Sequence, residues 1–249
     1  MKGRKPLAEA ALPLLRNALR ILVFPVLIRQ ILMGKAGYVY LCVLTLALME
    51  LPGWAERRLK VALPPIMEGL ILLFLFSSEI LGEIRGCYVR YPGWDAALHG
   101  VSGFLFASIG SVLPQLADRQ RCAGTMFRVL FGICFSVTVG VLWEFLEWGV
   151  DGLFGLDMQK DTVIHALRSV CLDPRGGNCV GSISGVRETI LILRDGSREI
   201  LGLNGYLDVG LHDTMGDLLM DLAGAAVFAL LSGWERYARY VVPVVKGER

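Results

Sequence analysis

A nearly unbroken apolar stretch, Met126 to Trp148, is long enough to cross a bilayer as a helix, a crossing that takes about 20 residues. Its last two turns carry two glutamates, in Val141-Leu142-Trp143-Glu144-Phe145-Leu146-Glu147-Trp148. A carboxylate within a membrane span costs roughly 3 kcal/mol on insertion scales, so each needs a partner or a task. Glu144 and Glu147 are three residues apart and share one helix face. Whatever the chain folds into must bring something to that face.

The rest of the chain supports a membrane reading. Of its 249 residues, 54% are hydrophobic and only 19% charged, and the mean hydropathy is +0.55. Soluble domains average about 45–50% apolar and about 25% charged, but the clustering into long apolar runs decides more than the means. The expectation is an all-α, polytopic transmembrane bundle of about six spans, folded as one membrane-embedded domain over residues 1–249. The spans are predicted at Ile21–Met33, Tyr38–Leu51, Leu63–Gly82, Trp94–Leu113, Met126–Trp148 and Asp213–Leu231. Ala8 to Arg20 reads either as an interfacial amphipathic lead-in or as the inner end of the first span. Between the fifth and sixth spans lies a hydrophilic insert, residues 151–212. Within it, β-forming residues flank Asp195-Gly196, a two-residue turn signal that predicts a β-hairpin over Glu188–Leu203.

Lys2, Arg4, Lys5, Arg57, Arg58, Lys60, Arg119, Arg121, Arg236 and Arg239 fall on one side of this topology, against Lys35, Arg85 and Arg90 on the other. The positive-inside rule then places both termini in the cytoplasm and the insert outside. No small-residue cleavage site follows the basic Met1-Lys2-Gly3-Arg4-Lys5, so the first apolar run is expected to be retained. The net charge of +2 says nothing about nucleic acid, but no basic, aromatic-interleaved motif appears, and no nucleic-acid partner is expected. The partner implied is the lipid bilayer. Cys42 and Cys134 fall within spans and Cys122 beside the charged loop of Asp118, Arg119 and Arg121. Cys171 and Cys179 flank a turn-rich spacer outside the membrane, where they either pair or remain separate thiols.

Placing the polar residues by depth gathers them at one level. Glu79 lies near the outer end of the third span. Asp95 and His99 stand in the first turns of the fourth, Glu144 and Glu147 in the last turns of the fifth. Asp213, Asp217 and Asp221 follow at one-turn intervals on one face of the sixth. So many carboxylates cannot all remain ionised in low dielectric, so some are protonated, paired with a cation or bound to metal. An oxygen-rich set with one imidazole suits Mg, Mn or Ca better than Zn. The candidate divalent-metal ligands are Asp95, His99, Glu144, Glu147, Asp217 and Asp221, and the candidate catalytic residues are His99, Glu144 and Asp217. The structural alternatives are plain too. Asp95 and Asp213 suit helix starts, and His99 could be an interhelical hydrogen-bond donor. Glu50 and Glu68 could snorkel to the inner surface, and Trp143 and Trp148 fit an interfacial aromatic belt. Gly100, Gly103, Gly110, Gly132, Gly140 and Gly224 suit close helix packing. Asp157 and Asp161 read as an outer rim of the acidic site, or as loop charges.

Several segments carry a family resemblance: Ala62-Leu63-Pro64-Pro65-Ile66-Met67-Glu68, Ser78-Glu79-Ile80-Leu81-Gly82-Glu83-Ile84, Trp94-Asp95-Ala96-Ala97-Leu98-His99-Gly100, Phe135-Ser136-Val137-Thr138-Val139-Gly140-Val141-Leu142-Trp143-Glu144-Phe145, Asp157-Met158-Gln159-Lys160-Asp161-Thr162 and Tyr206-Leu207-Asp208-Val209-Gly210-Leu211-His212-Asp213-Thr214-Met215-Gly216-Asp217-Leu218. They resemble an uncharacterised family of integral membrane proteins common in Firmicutes, itself similar to the YjdF-like proteins. The resemblance implies a bacterial cell-membrane protein and no particular activity. More distantly, the order of Asp95 and His99, a later Glu and a final Asp-rich span is similar to the VanZ-like proteins. There an Asn often stands in place of Asp221 and a Gln in place of Glu147.

Three functions fit the sequence: a metal-dependent enzyme acting on a lipid or cell-envelope substrate, a proton-coupled transporter using the same carboxylates as a relay, and a non-catalytic envelope or lipid-binding factor with a structural polar network. The second lacks the inverted repeat and paired broken helices of many transporters.

Overall fold

The computed structural model describes residues 7–117 and 124–246. The N-terminal Lys2, Arg4 and Lys5, the charged loop of Asp118, Arg119 and Arg121, and Cys122 lie outside the described residues. In chain order the elements are α1 (Leu7–Leu32), α2 (Ala36–Leu48), α3 (Leu51–Leu59), β1 (Val61–Ala62), α4 (Pro65–Leu75, continuing as a π-helical stretch Phe76–Ile84), α5 (Cys87–Arg90), α6 (Trp94–Gly110), α7 (Leu113–Ala117) and α8 (Thr125–Phe154). Then come β2 (Thr162–Ile164), β3 (Ala166–Ser169), β4 (Gly181–Ser184), β5 (Ile190–Ile192), β6 (Arg198–Ile200), β7 (Tyr206–Asp208), α9 (Leu211–Ser232), α10 (Glu235–Val241) and β8 (Val244–Val245). Among the described residues, six helical segments are long and apolar enough to cross a membrane: Ala10–Leu32, Ala36–Leu59, Pro65–Ile84, Trp94–Ala117, Thr125–Phe154 and Leu211–Ser232. The protein is a helical membrane bundle whose few strands form short antiparallel pairs.

The short spans expected from sequence are longer in the structure. Ala8–Arg20 and Ile21–Met33 are parts of one helix, α1, with Pro13 and Pro25 inside it. Membrane helices tolerate such prolines because neighbours satisfy the freed carbonyls. Pro52-Gly53 does not end the second span. Pro52 sits in the first turn of α3, where its missing N–H costs nothing.

The chain divides into two compact units, Met1–Leu142 with Asp217–Arg249, and Trp143–Gly216. In the first, Leu19 and Val23 of α1 pack with Cys42, Met49, Leu72 and Ile80. Met67, Leu105, Ala107, Ala225, Phe228 and Val241 form a neighbouring core. Many large apolar side chains point outward instead, among them Ile21, Leu22, Phe24 and Ile28 on α1. Such a surface suits lipid, which is as apolar as leucine. Small residues set the helix spacing. A Cβ on Gly103 would overlap the backbone of Asp221, and one on Gly224 the carbonyl of Gly100. The same clash, with the Ala107 carbonyl, would arise at Gly132. Helices α6, α8 and α9 therefore touch backbone to backbone. Ser136 on α8 adds a hydrogen bond, its Oγ donating to the Gly103 carbonyl at 2.8 Å.

Glu68 does not extend to the surface as expected, whereas Glu50 is exposed. Glu68 is buried and paired with Arg16, and Glu50 is paired with Arg20. Two arginines one turn apart on α1 thus meet carboxylates from the start of α4 and from the junction of α2 and α3.

The second unit holds the insert. β5 and β6 pair antiparallel with Ile190 opposite Ile200, forming the expected hairpin. Its loop has three residues rather than two: the Leu193 N–H donates to the Ser197 carbonyl at 2.9 Å, with Gly196 at φ +83°. β2 pairs with β7 and β3 with β4. Cys171 and Cys179 are free thiols. The segment between them is closed by Asp173, whose carboxylate accepts from the N–H groups of Arg175, Gly177 and Cys179 at 2.8–3.2 Å.

The two ion pairs differ in burial, and that difference is measurable. The Glu50 side chain is 62% exposed and the Glu68 side chain 9%. Arg16→Met is expected to cost about 3 kcal/mol by stranding a buried carboxylate, and Arg20→Met about 1 kcal/mol or less. Unfolding of both variants in mixed micelles checks the order, and equal losses would contradict it.

Candidate metal centre

Helix α6 begins at Trp94, so Asp95 and His99, four residues apart, stand one above the other on a single face. Helix α9 presents Asp217 and Asp221 with the same spacing. The glycine contacts bring these two faces together. His99 is 8% exposed, Asp217 4% and Asp221 2%. The ring is bracketed by carboxylates. Nε2 lies 3.9 Å from Asp95 Oδ1 and 3.7 Å from Asp217 Oδ2. Nδ1 lies 3.4 Å from Asp221 Oδ2.

Asp221 is held by its surroundings. Ser102 Oγ lies 2.7 Å from Asp221 Oδ1 and 2.8 Å from the His99 backbone carbonyl, so its single proton is shared between, or alternates between, the two acceptors. Gly140 of α8 leaves room for Asp221 Oδ2, a space its own Cβ would fill. One ligand atom from each of Asp95, His99 and Asp217 can be chosen so that all lie within 4.8 Å of one another. A single cation can bridge that spacing. The donor set is one imidazole nitrogen and carboxylate oxygens.

The residues predicted from sequence are distributed as follows. Asp95, His99, Asp217 and Asp221 come together in the first unit. Glu79 lies in the π-helical stretch after α4 and is not among the groups facing His99. Glu144 and Glu147 belong to the second unit, where both are buried on α8, and Trp143 Nε1 donates to Glu147 Oε1 at 2.9 Å. Asp213 accepts the Lys160 N–H at 2.6 Å, anchoring the loop before β2 to the start of α9. Sequence reasoning passed over Ser102. Its only signal was its place one turn from His99 on an otherwise apolar helix face.

The loop of the second unit carries acidic groups of its own. Asp151 accepts the N–H groups of Met158 and Gln159 at 2.7 and 2.9 Å. Partial burial and the neighbouring Asp157, Asp208 and Asp151 push the Asp161 carboxyl above its usual range. Asp208 goes the other way. Burial alone would raise it, but hydrogen bonds from the His212 ring and backbone N–H, each 2.7 Å, hold it below the usual carboxylate range.

The sequence profile of a family described as Predicted membrane protein (DUF2238) matches residues 15–237, and the chain belongs to that family. No curated protein and no solved structure matches the chain.

A depressed carboxylate contributes stability above its unfolded pKa, and the contribution is lost as pH falls through the folded value. Acidification below the ordinary carboxylate range near pH 3.9 is therefore expected to weaken the Asp208–His212 link. Hydrogen exchange at the β2–β7 pair should quicken there in the wild type. In Asp208→Asn the same amides should exchange faster already at pH 7, and unchanged protection would contradict the assignment.

Proposed function

We propose that this chain binds one divalent metal ion through Asp95, His99 and Asp217, and that the ion serves chemistry on a lipid or lipid-linked cell-envelope substrate at the membrane face. One observation carries the reading. Nε2 faces two carboxylates, while Nδ1 faces a third that is itself hydrogen-bonded by Ser102. This matches the pattern in which a metal-ligating histidine donates its other N–H to a carboxylate that fixes tautomer and ring orientation. Asp221 then orients rather than ligates. Oxygen-rich donors favour Mg, Mn or Ca over softer ions. When bound, such an ion supplies Lewis-acid polarisation of a phosphoryl or acyl oxygen. The chain's own residues do the rest. Asp95 is less buried than the other two carboxylates and would be the first of them to meet an arriving headgroup. The α6–α9 backbone contact keeps the carboxylates from relaxing apart. A bacterial cell membrane, cytoplasmic termini and kinship with the YjdF-like and, more distantly, VanZ-like proteins complete the proposal.

A second reading is supported by the same distances. An imidazolium between Asp221 and Asp217 would satisfy both carboxylates without metal, as in a proton relay or a structural network. Elemental analysis of detergent-purified protein, after loading with Mg, Mn, Ca and Zn in turn, separates the two. The metal reading expects near-stoichiometric ion, lost in both His99→Ala and Asp217→Asn, and a 10–100-fold weaker affinity in Asp221→Asn. No metal in any loaded sample overturns it in favour of the protonated network.

A further inference from the structure

The first unit contains a second feature that bears on the substrate: a cavity of about 360 Å³. Ligand pockets occupy about 300–1,000 Å³. Its wall is apolar, with Ala55 of α3, Phe74 of α4, and Phe106 and Ile109 of α6 facing the space. Among the described residues of the wall, only Glu56 and Ser102 carry side-chain polar atoms, and both are engaged. Glu56 Oε1 accepts the Leu63 N–H at 2.6 Å. Ser102 Oγ sits between Asp221 and the His99 carbonyl.

A space with so little polar wall does not hold water well, because water needs two to four polar partners. It suits a hydrocarbon. In a bilayer the abundant hydrocarbon is the lipid chain. Ser102 also belongs to two places at once. It is one of the residues that line the cavity, and its hydroxyl lies within hydrogen-bond distance of the carboxylate that faces His99. From Ser102 to Ile109 the wall runs roughly 10 Å along α6, at about 1.5 Å per residue. A molecule with its polar end at His99 would therefore enter the cavity with whatever extends one turn further along α6.

We propose that this cavity holds a single alkyl chain of an acyl lipid whose polar end lies at Asp95, His99 and Asp217. The substrate class is thus a polar headgroup carried on a linear acyl chain. The placement of the polar end rests on the metal reading above, whereas the chain-binding cavity does not.

The test uses the full-length protein in detergent, titrated with stearic acid bearing a nitroxide near its methyl end or near its carboxylate. The expected electron paramagnetic resonance spectrum has an immobilised component that saturates at one label per chain. Ala55→Phe and Ile109→Trp fill the cavity from different helices. Each should weaken that component at least ten-fold while helicity by circular dichroism and metal content stay at wild-type levels. With Mn loaded, the nitroxide near the carboxylate should broaden more than the one near the methyl end. Undiminished immobilisation in both folded variants would overturn the proposal, as would stronger broadening at the methyl end. Immobilisation that is lost in the variants, in a protein that binds no Mn, would uphold the chain-binding cavity and sink the metal reading alone.

Discussion

Three ionisable side chains removed from water, His99, Asp217 and Asp221, set the terms for the first unit. Burying one such charge without a partner costs several kcal/mol, and burying three makes their mutual geometry decisive. The glycines at 103 and 224 are part of that geometry. They let α6 and α9 approach until the backbone of Asp221 lies against Gly103, and this proximity holds the imidazole among its carboxylates. A larger residue at either position would separate the helices and leave the carboxylates without the ring. The same logic acts at Glu68, whose burial is offset by Arg16 from a neighbouring helix. Polar groups in this bundle occur where a partner is supplied by another helix, and the packing residues are those that allow the partner to reach.

The second unit is stabilised differently. Its strands are short and largely exposed, and its loops are pinned by aspartate side chains accepting backbone N–H groups. Asp151, Asp173, Asp208 and Asp213 all do so. Side chain-to-backbone bonds of this kind compete well with water because the acceptor is charged. They also explain why the segment from Cys171 to Cys179 keeps its form without a disulfide. Asp173 closes that loop onto the Cys179 amide, so its shape does not depend on the thiols.

Hydropathy and charge spacing carried much of this architecture. Six apolar runs are enough to specify six candidate spans, and the one-turn spacings of Asp95 with His99 and of Asp217 with Asp221 mark one polar face on each of two helices, the second reaching the middle of its span. The hairpin was legible from Asp195-Gly196, although the residue count of its loop was not, since Gly196 closes a three-residue turn rather than a two-residue one. What the sequence hid is azimuth. Depth says nothing about which way a side chain turns around its helix, so the pairing of Glu68 with Arg16 could not be read, and Glu79 was grouped with carboxylates it does not face. Nor does a one-turn spacing say which carboxylate meets which ring nitrogen. Ser102 escaped notice for a related reason. A serine on an apolar helix commonly bonds its own backbone, and that the same hydroxyl also reaches Asp221 depends on a contact made across helices.

The central claim is that the Nε2 side of His99 is a metal-binding position rather than one end of a proton-bridged network. Pulsed electron paramagnetic resonance of the Mn-loaded protein addresses it directly. The account predicts a coupling from a single histidine nitrogen to the bound Mn, present in the wild type and absent in His99→Ala. Manganese that binds without any nitrogen coupling, or that does not bind at all, would contradict it.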